Sequence, residues 1–333
     1  MNISSTCLIG FTKSKKMRKV ILMNRYYPEG MLIKQFSNIE YTSTKKGLER
    51  ALEEGAILEA PAILCDHSFN LHVSLGERIR GIIPRGEVEY NQREETKDIA
   101  ILTRVGKPVS FKVIGFEKDG ADGTVAILSR REAQRECTEC YIESLVPGDI
   151  VPSRITHLEN FGAFVDIGCG VISLLSIDSI SVSRISHPSE RVRVGDCLYT
   201  VVKDIDDRGR IYVSERELLG SWLENASLFS EGETVRGIVR SVEDYGIFVE
   251  LKPNLAGLAE YRDGVFRGQS AAVYIKSIIP EKMKIKLIII SSVDAENDPM
   301  PLEYFIDTDS TLHLDAWTYS PPSSKRVIET VFS

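Results

Sequence analysis

A pattern that recurs three times along the chain constrains its fold more than any other feature of the sequence. Each copy opens with a glycine before an apolar run, continues with a segment led by an aromatic residue, and closes with a second glycine. The opening glycines Gly148 and Gly232 are 84 residues apart, and so are the aromatic residues Phe161 and Tyr245. Two landmarks that stay in step indicate homologous modules in tandem.

The first copy of the pattern has diverged from the other two. Gly55 lies 93 residues before Gly148, and Phe69 lies 92 residues before Phe161. The spacing is therefore preserved although the sequence between the landmarks is less similar. We interpret the chain as an array of three modules.

Each module divides into five short segments rich in Val, Ile, Phe and Tyr, separated by glycines and acidic turn residues. In the second copy the predicted strands are Ile150–Leu158, Phe161–Ile167, Val171–Leu175, Cys197–Ile205 and Arg210–Ser214. Five strands without a helix long enough for a parallel crossover predict a small closed barrel, for which the OB-fold is the natural candidate. The predicted fold class is all-β dominated, with three tandem five-stranded antiparallel OB-fold barrels joined by short helices.

The same pattern predicts the domain boundaries. In order they are an N-terminal extension (1–42), a divergent first repeat (43–130), a helical linker (131–145), a second repeat (146–214), a second helical linker (215–228), a third repeat (229–292) and a C-terminal extension (293–333). Residues 1–30 are expected either to precede a true start at Met17, Met23 or Met31, or to form a loose basic arm. A helix over 43–54, capped by Ser43 or Thr44 and buried through Leu48, Ala51 and Leu52, should open the first repeat.

The C-terminal extension combines acidic residues with many large apolar side chains, which is too apolar for a disordered tail. We expect it to be ordered, β-rich and packed on the third barrel. The whole chain carries a net charge of −7, which argues against coating duplex DNA by bulk charge but not against binding of single strands through stacking. No apolar run is long enough for a membrane span or a signal peptide, so the expected location is cytoplasmic, with no membrane partner.

Phe161 and Phe164, separated by Gly162 and Ala163, are the main candidate binding residues. Positions i and i+3 of a regular strand point to opposite faces, so the rings share a face only if Phe161 sits at the start of the strand or a bulge re-aims it. Two exposed rings beside barrel strands would form a stacking platform for unpaired bases. The alternative is that one or both rings belong to the barrel core.

A nucleic-acid site also needs cations and hydrogen-bond donors for phosphates and hydroxyls. Asp206 and Arg210 flank the last predicted hairpin turn of the second copy, and Arg154, Lys203 and Arg208 lie near in sequence. Any one of these side chains taken alone could be merely solvated. Their combination on one predicted barrel favours a binding role.

The second and third copies resemble the S-one RNA-binding domain, the OB-fold repeat named after the largest protein of the bacterial small ribosomal subunit. The resemblance is carried by Gly148-Asp149, the run from Phe161 to Asp166, Arg193-Val194-Gly195-Asp196, and the segment from Asp206 to Ser214. It extends over roughly residues 50–292 as three modules, strongest in the second copy and weakest in the first.

The resemblance implies a set of RNA-binding positions. In that family the base-binding face uses two aromatic residues, a histidine, an Asp and an Arg, which fall in the second copy on Phe161, Phe164, Ser176, Asp206 and Arg210. In the third copy the matching positions hold Tyr245, Phe248, Glu260, Pro280 and Lys284. The second copy is therefore expected to bind best, and the first copy, with Phe69 and His72 only, to be structural or to contact protein.

The implied function is non-catalytic binding of single-stranded RNA in bacterial translation, with messenger RNA and the small ribosomal subunit as partners. One alternative is a protein-interaction scaffold in which the barrels, mainly the first, bind proteins. Another is an enzyme, either a nuclease or a redox protein that uses Cys137-x-x-Cys140. No complete catalytic or metal motif is present, so no enzyme activity, metal or cofactor is expected, and the cysteine pair reads better as a buried helix face with Ala133, Tyr141 and Leu145.

Overall fold

Three closed five-stranded barrels follow one another along the chain, as the sequence predicts. The computed structural model describes residues 23, 25–76, 79–90, 97–119, 123–294, 302–308 and 310–332. These residues form two compact units. The first holds the described residues up to Leu145 with Pro152–Arg154 and Asp166–Ile172, and the second holds Val146–Val151, Ile155–Val165 and the described residues from Ser173 onwards.

The first barrel lies in the first unit and is built from β1 (Leu58–Cys65), β2 (Leu71–Ser74), β3 (Ile79–Ile83), β4 (Pro108–Asp119) and β5 (Gly123–Ser129). The helices α1 (Phe36–Thr42) and α2 (Lys45–Glu54) precede it, and α3 (Asp98–Leu102) lies between β3 and β4. Thr44 caps α2 by accepting the Gly47 N–H at 3.0 Å. Leu48 and Ala51 of α2 enter the barrel core, whereas Leu52, predicted to be buried with them, is exposed.

The N-terminal segment is held more firmly than a loose arm would be. Arg25 forms an ion pair with Glu136 at 2.6 Å, and the buried Glu29 forms one with the fully buried Arg130 at 2.6 Å. A buried guanidinium is stable only when a carboxylate and hydrogen bonds compensate its lost hydration. The predicted loose arm is therefore wrong for residues 25–30, while residues 1–22 and 24 lie outside the described residues.

The second barrel consists of β6 (Ile150–Glu159), β7 (Gly162–Asp166), β8 (Ile172–Ser176), β9 (Cys197–Ile205) and β10 (Ile211–Ser214). Each strand falls within one residue of its predicted limits. The third barrel consists of β11 (Thr234–Glu243), β12 (Gly246–Lys252), β13 (Leu255–Ala259), β14 (Ser270–Ile279) and β15 (Lys284–Val293).

One strand pair in each barrel departs from the all-antiparallel prediction. In the three barrels, β3 pairs with β5, β8 with β10 and β13 with β15 in parallel. The reason is geometric, because a closed ring with an odd number of strands cannot have every neighbour antiparallel. The third and fifth strands are the ones that close each ring.

The connections between repeats are helical, but less so than predicted. The first linker is α4 (Arg130–Cys140) followed by a 3-10 turn, Ile142–Ser144. A short helix, α5 (Ile177–Ile180), follows β8 within the second repeat. The segment Glu215–Leu228, predicted to be a helix throughout, is helical only over α6 (Trp222–Ala226). Gly220 at φ +80° stops any earlier helix, and Ser221 starts α6 with a capping box to Glu224.

In its described residues the C-terminal extension contributes two short strands, β16 (Ala316–Thr318) and β17 (Glu329–Val331). Trp317 and Tyr319 join the core of the third barrel, as predicted, together with Trp222 from α6. The extension also packs on the second barrel, which the sequence analysis did not predict. There its partly buried apolar residues cover a core of Ile150, Val201 and Leu218, and they are Tyr304, Ile306, Leu314 and Phe332.

Candidate nucleic-acid interface

An exposed aromatic pair lies where the second barrel begins its second strand. Phe161 occupies the turn before β7 and is 54% exposed, and Phe164 lies within β7 and is half-buried. Their ring centroids are 6.0 Å apart and the ring planes are at 90°. The rings therefore share one face because Phe161 sits at the start of the strand, and neither is enclosed in the barrel core.

Gly162 fixes the position of the exposed ring. A Cβ atom at this residue would lie 2.4 Å from the Leu175 carbonyl oxygen of β8, closer than real Cβ contacts allow. The same close approach lets the Ile177 N–H donate to the Phe161 carbonyl oxygen at 2.9 Å. The chain entering β7 is thus clamped against the end of β8, which directs the Phe161 side chain outward.

The third barrel repeats this arrangement. Tyr245 is 71% exposed, Phe248 is half-buried, and their ring centroids are 6.1 Å apart with planes at 85°. A Cβ atom on Gly246 would lie 2.5 Å from the Ala259 carbonyl oxygen of β13. The second and third barrels therefore present the same edge-to-face aromatic pair, and in both a glycine packs closely against the next strand.

The last turn of the second barrel is organised around Asp206. Its Oδ1 accepts the Arg208 and Arg210 N–H groups at 3.0 and 2.9 Å, and its Oδ2 accepts Arg210 Nε at 2.7 Å. These bonds lower the pKa of Asp206, with the hydrogen bond from the Arg210 N–H as the largest cause. The carboxylate stays ionised and fixes the turn, while the Arg210 side chain remains exposed to solvent.

Ser176 is the last residue of β8 and joins a short polar chain. Its Oγ donates to Ser179 Oγ at 2.8 Å, and Lys203 Nζ donates to the same Ser179 oxygen at 3.1 Å. The next residue, Ile177, donates its N–H to the Phe161 carbonyl oxygen, so Ser176 lies beside the aromatic pair. A hydroxyl thus occupies the position at which the resemblance places a histidine.

His157 belongs to this face and was missed by the sequence analysis. Its ring stacks on Phe164 at 6.3 Å with an interplanar angle of 20°, and its Nε2 lies 2.8 Å from Glu159 Oε1. In the third barrel Phe248 pairs across the hairpin with Ser241, which lies 84 residues after His157. The repeat offset combined with the hairpin register could have identified His157.

Arg154 has a different environment from the one expected. Its Nη1 donates to the Glu29 carbonyl oxygen at 2.6 Å within the first unit, and the guanidinium fills the space in front of Gly30. The side chain is half-buried there. Its guanidinium thus has a structural partner in the N-terminal segment, and we leave it out of the set of binding residues proposed below.

Lys284 is exposed at the start of β15, directly after Met283, whose φ is +47°. It lines one cleft together with Phe248, so the structure brings two of the third-repeat candidates together.

In the first barrel the candidate aromatic residue, Phe69, has a different environment. Phe69 packs partly against the barrel core, and the Arg85 guanidinium lies 4.9 Å above its ring.

The two cysteines of the Cys137-x-x-Cys140 pair differ in exposure. Cys137 is buried, whereas Cys140, predicted to share its buried face, is exposed. Among the described residues, no group of three or more His, Cys, Asp or Glu side chains is arranged to hold a metal ion. Nor does any helix among those residues have the length and apolarity to cross a bilayer.

Comparisons with known proteins agree with this architecture. A family model described as the S1 RNA binding domain matches residues 145–216, the second barrel. Small ribosomal subunit protein bS1 of Staphylococcus saprophyticus is 30% identical over 244 residues, which cover 68% of this chain and 59% of that protein. The corresponding protein of Staphylococcus aureus is 26% identical over 301 residues, 84% of this chain and 74% of that protein.

Among solved structures, a multidomain protein with nucleic acid binding domains from Streptococcus pneumoniae aligns at 15% identity and a TM-score of 0.23, covering 71% of this chain and 73% of that one. That alignment is too loose to add to the sequence matches. The chain spans about three fifths of the length of the Staphylococcus saprophyticus relative. Residues 145–216 thus match the S1 RNA binding domain, and the chain as a whole is similar to bacterial ribosomal protein bS1.

Proposed function

We propose that this chain binds single-stranded RNA without catalysis, through the aromatic face of the second repeat extended by that of the third. The observation that carries the proposal is the duplicated pair of exposed rings, Phe161 with Phe164 and Tyr245 with Phe248. Rings held edge to face beside a barrel strand can stack on unpaired bases of any sequence. The match of the second barrel to the S1 RNA binding domain supports the same conclusion.

The polar residues of the face would supply the remaining contacts. Arg210 and Lys284 are exposed cations on the second and third barrels, Lys284 lines one cleft with Phe248, and Ser176 offers a hydroxyl to a ribose or base edge. Asp206 holds the turn that carries Arg210. The proposed RNA-binding residues are Phe161, Phe164, Ser176, Asp206, Arg210, Tyr245, Phe248 and Lys284, with His157 added from the structure.

The expected affinity favours the use of both repeats. Stacking contributes about 1–3 kcal/mol per base, so two rings give about 2–6 kcal/mol, whereas micromolar binding requires about 8 kcal/mol. Two faces joined by a short linker raise each other's effective concentration and close this gap. The names of the bS1 relatives support a cytoplasmic role in translation, on messenger RNA or with the small ribosomal subunit.

Fluorescence anisotropy with a labelled oligouridine tests the proposal. Phe161→Ala/Phe164→Ala should raise the Kd at least tenfold, because stacking is lost at one face. Tyr245→Ala/Phe248→Ala should raise it less, because the second repeat matches the family's base-binding positions better than the third. Phe36→Ala removes a ring that is 81% exposed in the first unit and should bind like the wild type. Absence of binding by the wild type, or equal binding by the Phe161/Phe164 variant, would refute the proposed face.

A specific observation favours a second, protein-binding role for the first unit. Ile63 and Leu64 on β1 are both exposed, which leaves adjacent apolar side chains facing solvent, while Phe69 is covered by Arg85. Exposed apolar side chains that cluster on a surface are one mark of a protein–protein contact. Co-sedimentation with purified small ribosomal subunits should weaken in Ile63→Ser/Leu64→Ser; unchanged sedimentation would argue against this role.

A further inference from the structure

A cleft of about 760 Å³ opens on the second unit, beside the aromatic pair of the third repeat. Phe248 and Lys284, both members of the proposed RNA-binding face, form part of its lining. Another part is formed by residues 323–326 of the C-terminal extension. The extension thus enlarges the third-repeat face with side chains that lie outside the barrel.

The lining of this cleft is strongly cationic although the chain as a whole is acidic. Its cations are Arg184, Lys282, Lys284, Lys325 and Arg326, against the single carboxylate of Glu281. That is five positive charges to one negative, in a chain whose net charge is −7. Like charges gathered in one concave surface create a positive potential that attracts an anionic ligand.

These cations are not consumed by ion pairs with the described residues. All five side chains are exposed, and none of them forms a salt bridge to a carboxylate in the part of the chain that the structure describes. Elsewhere in the unit, by contrast, cations are neutralised locally, as Arg240 is by Glu190 and Glu250. The positive charge of the cleft is therefore not cancelled by ion pairs with the described residues.

The loop that carries Lys325 and Arg326 is held in place by the third barrel. Tyr319 Oη donates to the Asn254 carbonyl oxygen at 2.7 Å, and the Tyr319 N–H donates to the Ile328 carbonyl oxygen at 2.9 Å. Within the loop, the Ser324 N–H donates to the Pro321 carbonyl oxygen at 2.9 Å and the Arg326 N–H to Ser324 Oγ at 3.2 Å. Little ordering would be needed on binding, which favours a ligand site.

We propose that this cleft is a phosphate-binding track for single-stranded RNA, in which Lys325 and Arg326 contact backbone phosphates of a strand whose base stacks on Phe248. The inference rests on the proposed function and extends it to the C-terminal extension. A ring flanked by cations is the combination that non-specific single-strand binding requires, since the ring takes the base and the cations take the backbone.

The salt dependence of RNA binding tests the track. For single strands, each phosphate contact contributes about 0.7 to the magnitude of the negative slope of log K against log salt. Lys325→Ala/Arg326→Ala should therefore reduce that magnitude by about 1.4 and make RNA binding less sensitive to salt. Loss of these two phosphate contacts corresponds to a Kd for RNA about tenfold higher at about 0.15 M salt. The measurement is anisotropy of a labelled oligouridine between about 50 and 200 mM salt.

Lys45→Ala/Lys46→Ala is the matched control, because it removes two adjacent exposed lysines of α2 and changes the net charge equally. It should keep the wild-type slope. If the wild type binds RNA and both variants keep its slope and Kd, the track is refuted while the proposed function stands. If the control loses as much as the cleft variant, bulk charge explains the effect and the track is likewise refuted.

Lysine footprinting localises the contact without any substitution. In the wild type, saturating oligouridine should slow acetylation of Lys282, Lys284 and Lys325 and leave Lys45 and Lys46 unaffected. Uridine monophosphate at the same phosphate concentration should not protect the cleft, because it lacks the neighbouring phosphates of a strand. Protection by the mononucleotide, or none by the oligonucleotide, would overturn a strand-binding track; a wild type that binds no RNA would refute the proposed function itself.

Discussion

Glu215 is a fully buried carboxyl group that lacks full hydrogen bonding. Its Oε1 accepts the Tyr304 hydroxyl at 3.2 Å, whereas its Oε2 has no hydrogen-bond partner among the described residues. Burial raises the pKa of Glu215 to about 8. The protonated form is therefore the one that the folded state accommodates at neutral pH.

This burial predicts a pH-dependent stability. The unfolded carboxyl titrates near 4.5 and the folded one near 8, so the folded state holds the extra proton between these values. The stability that this proton provides is complete below about pH 4.5 and is lost as the pH rises through about 8. Glu215→Gln cannot ionise, so its free energy of unfolding should fall by several kcal/mol less than that of the wild type between about pH 5 and 9.

Urea unfolding of both proteins across this pH range measures the difference. Subtracting one profile of unfolding free energy against pH from the other cancels the contributions of the other titrating groups. Among them is Asp166, whose pKa is raised by burial to about 7. Parallel pH profiles for the two proteins would mean that Glu215 is already ionised in the folded state.

At the scale of elements, the contact between β7 and β8 supports the aromatic face. An alanine at Gly162 would place its Cβ atom 2.4 Å from a backbone carbonyl, which cannot move without disturbing the strand pairing. We expect Gly162→Ala to lower the free energy of unfolding by about 1–3 kcal/mol and to weaken RNA binding by displacing Phe161. Thermal melting and anisotropy on the same sample measure both effects.

Gly115→Ala is the control for this substitution. Gly115 lies in β4, its φ is not positive, and an added Cβ atom would meet nothing within 4 Å. It should therefore change stability little. If Gly162→Ala melts at the same temperature as this control and binds RNA normally, then close strand approach does not position the ring.

The elements that the sequence predicted well are those set by local patterns. In the second barrel, Gly168 and Gly170 lie in the turn between β7 and β8, and residues 206–209 lie in the turn between β9 and β10. These turn residues are visible in the sequence. The aromatic pair was predictable for the same reason, because Gly162 marks the start of β7. The partial helix of the second linker was harder to predict, since the apolar spacing continues past the cap at Ser221.

Contacts between distant parts of the chain could not be read from local patterns. Arg154 bonds to Glu29, 125 residues earlier, and His313 bonds to Asp149 at 2.7 Å, 164 residues away. Which partner a surface cation or an apolar extension finds depends on tertiary packing. The packing of the extension on the second barrel and the position of the loop bearing Lys325 became visible only in the structure.

At the scale of the whole molecule, the three barrels present different aromatic surfaces on one framework. The second and third keep the exposed ring pair, whereas the first replaces it with a ring beneath Arg85. The boundaries between repeats proposed from the sequence stay predictions, because the structure groups residues 152–154 and 166–172 of the second barrel with the first unit. Repeats of one ancestry have thus diverged in what they present to solvent.

The only two tryptophans of the chain, Trp222 and Trp317, both lie in the core of the third barrel. Intrinsic tryptophan fluorescence is consequently a reporter of that core alone, whereas far-ultraviolet circular dichroism averages over every strand. We expect denaturant curves from the two probes to diverge if the two units unfold independently, and to coincide if unfolding is a single transition. The chain thus contains a built-in optical label for one of its two units, with no dye required.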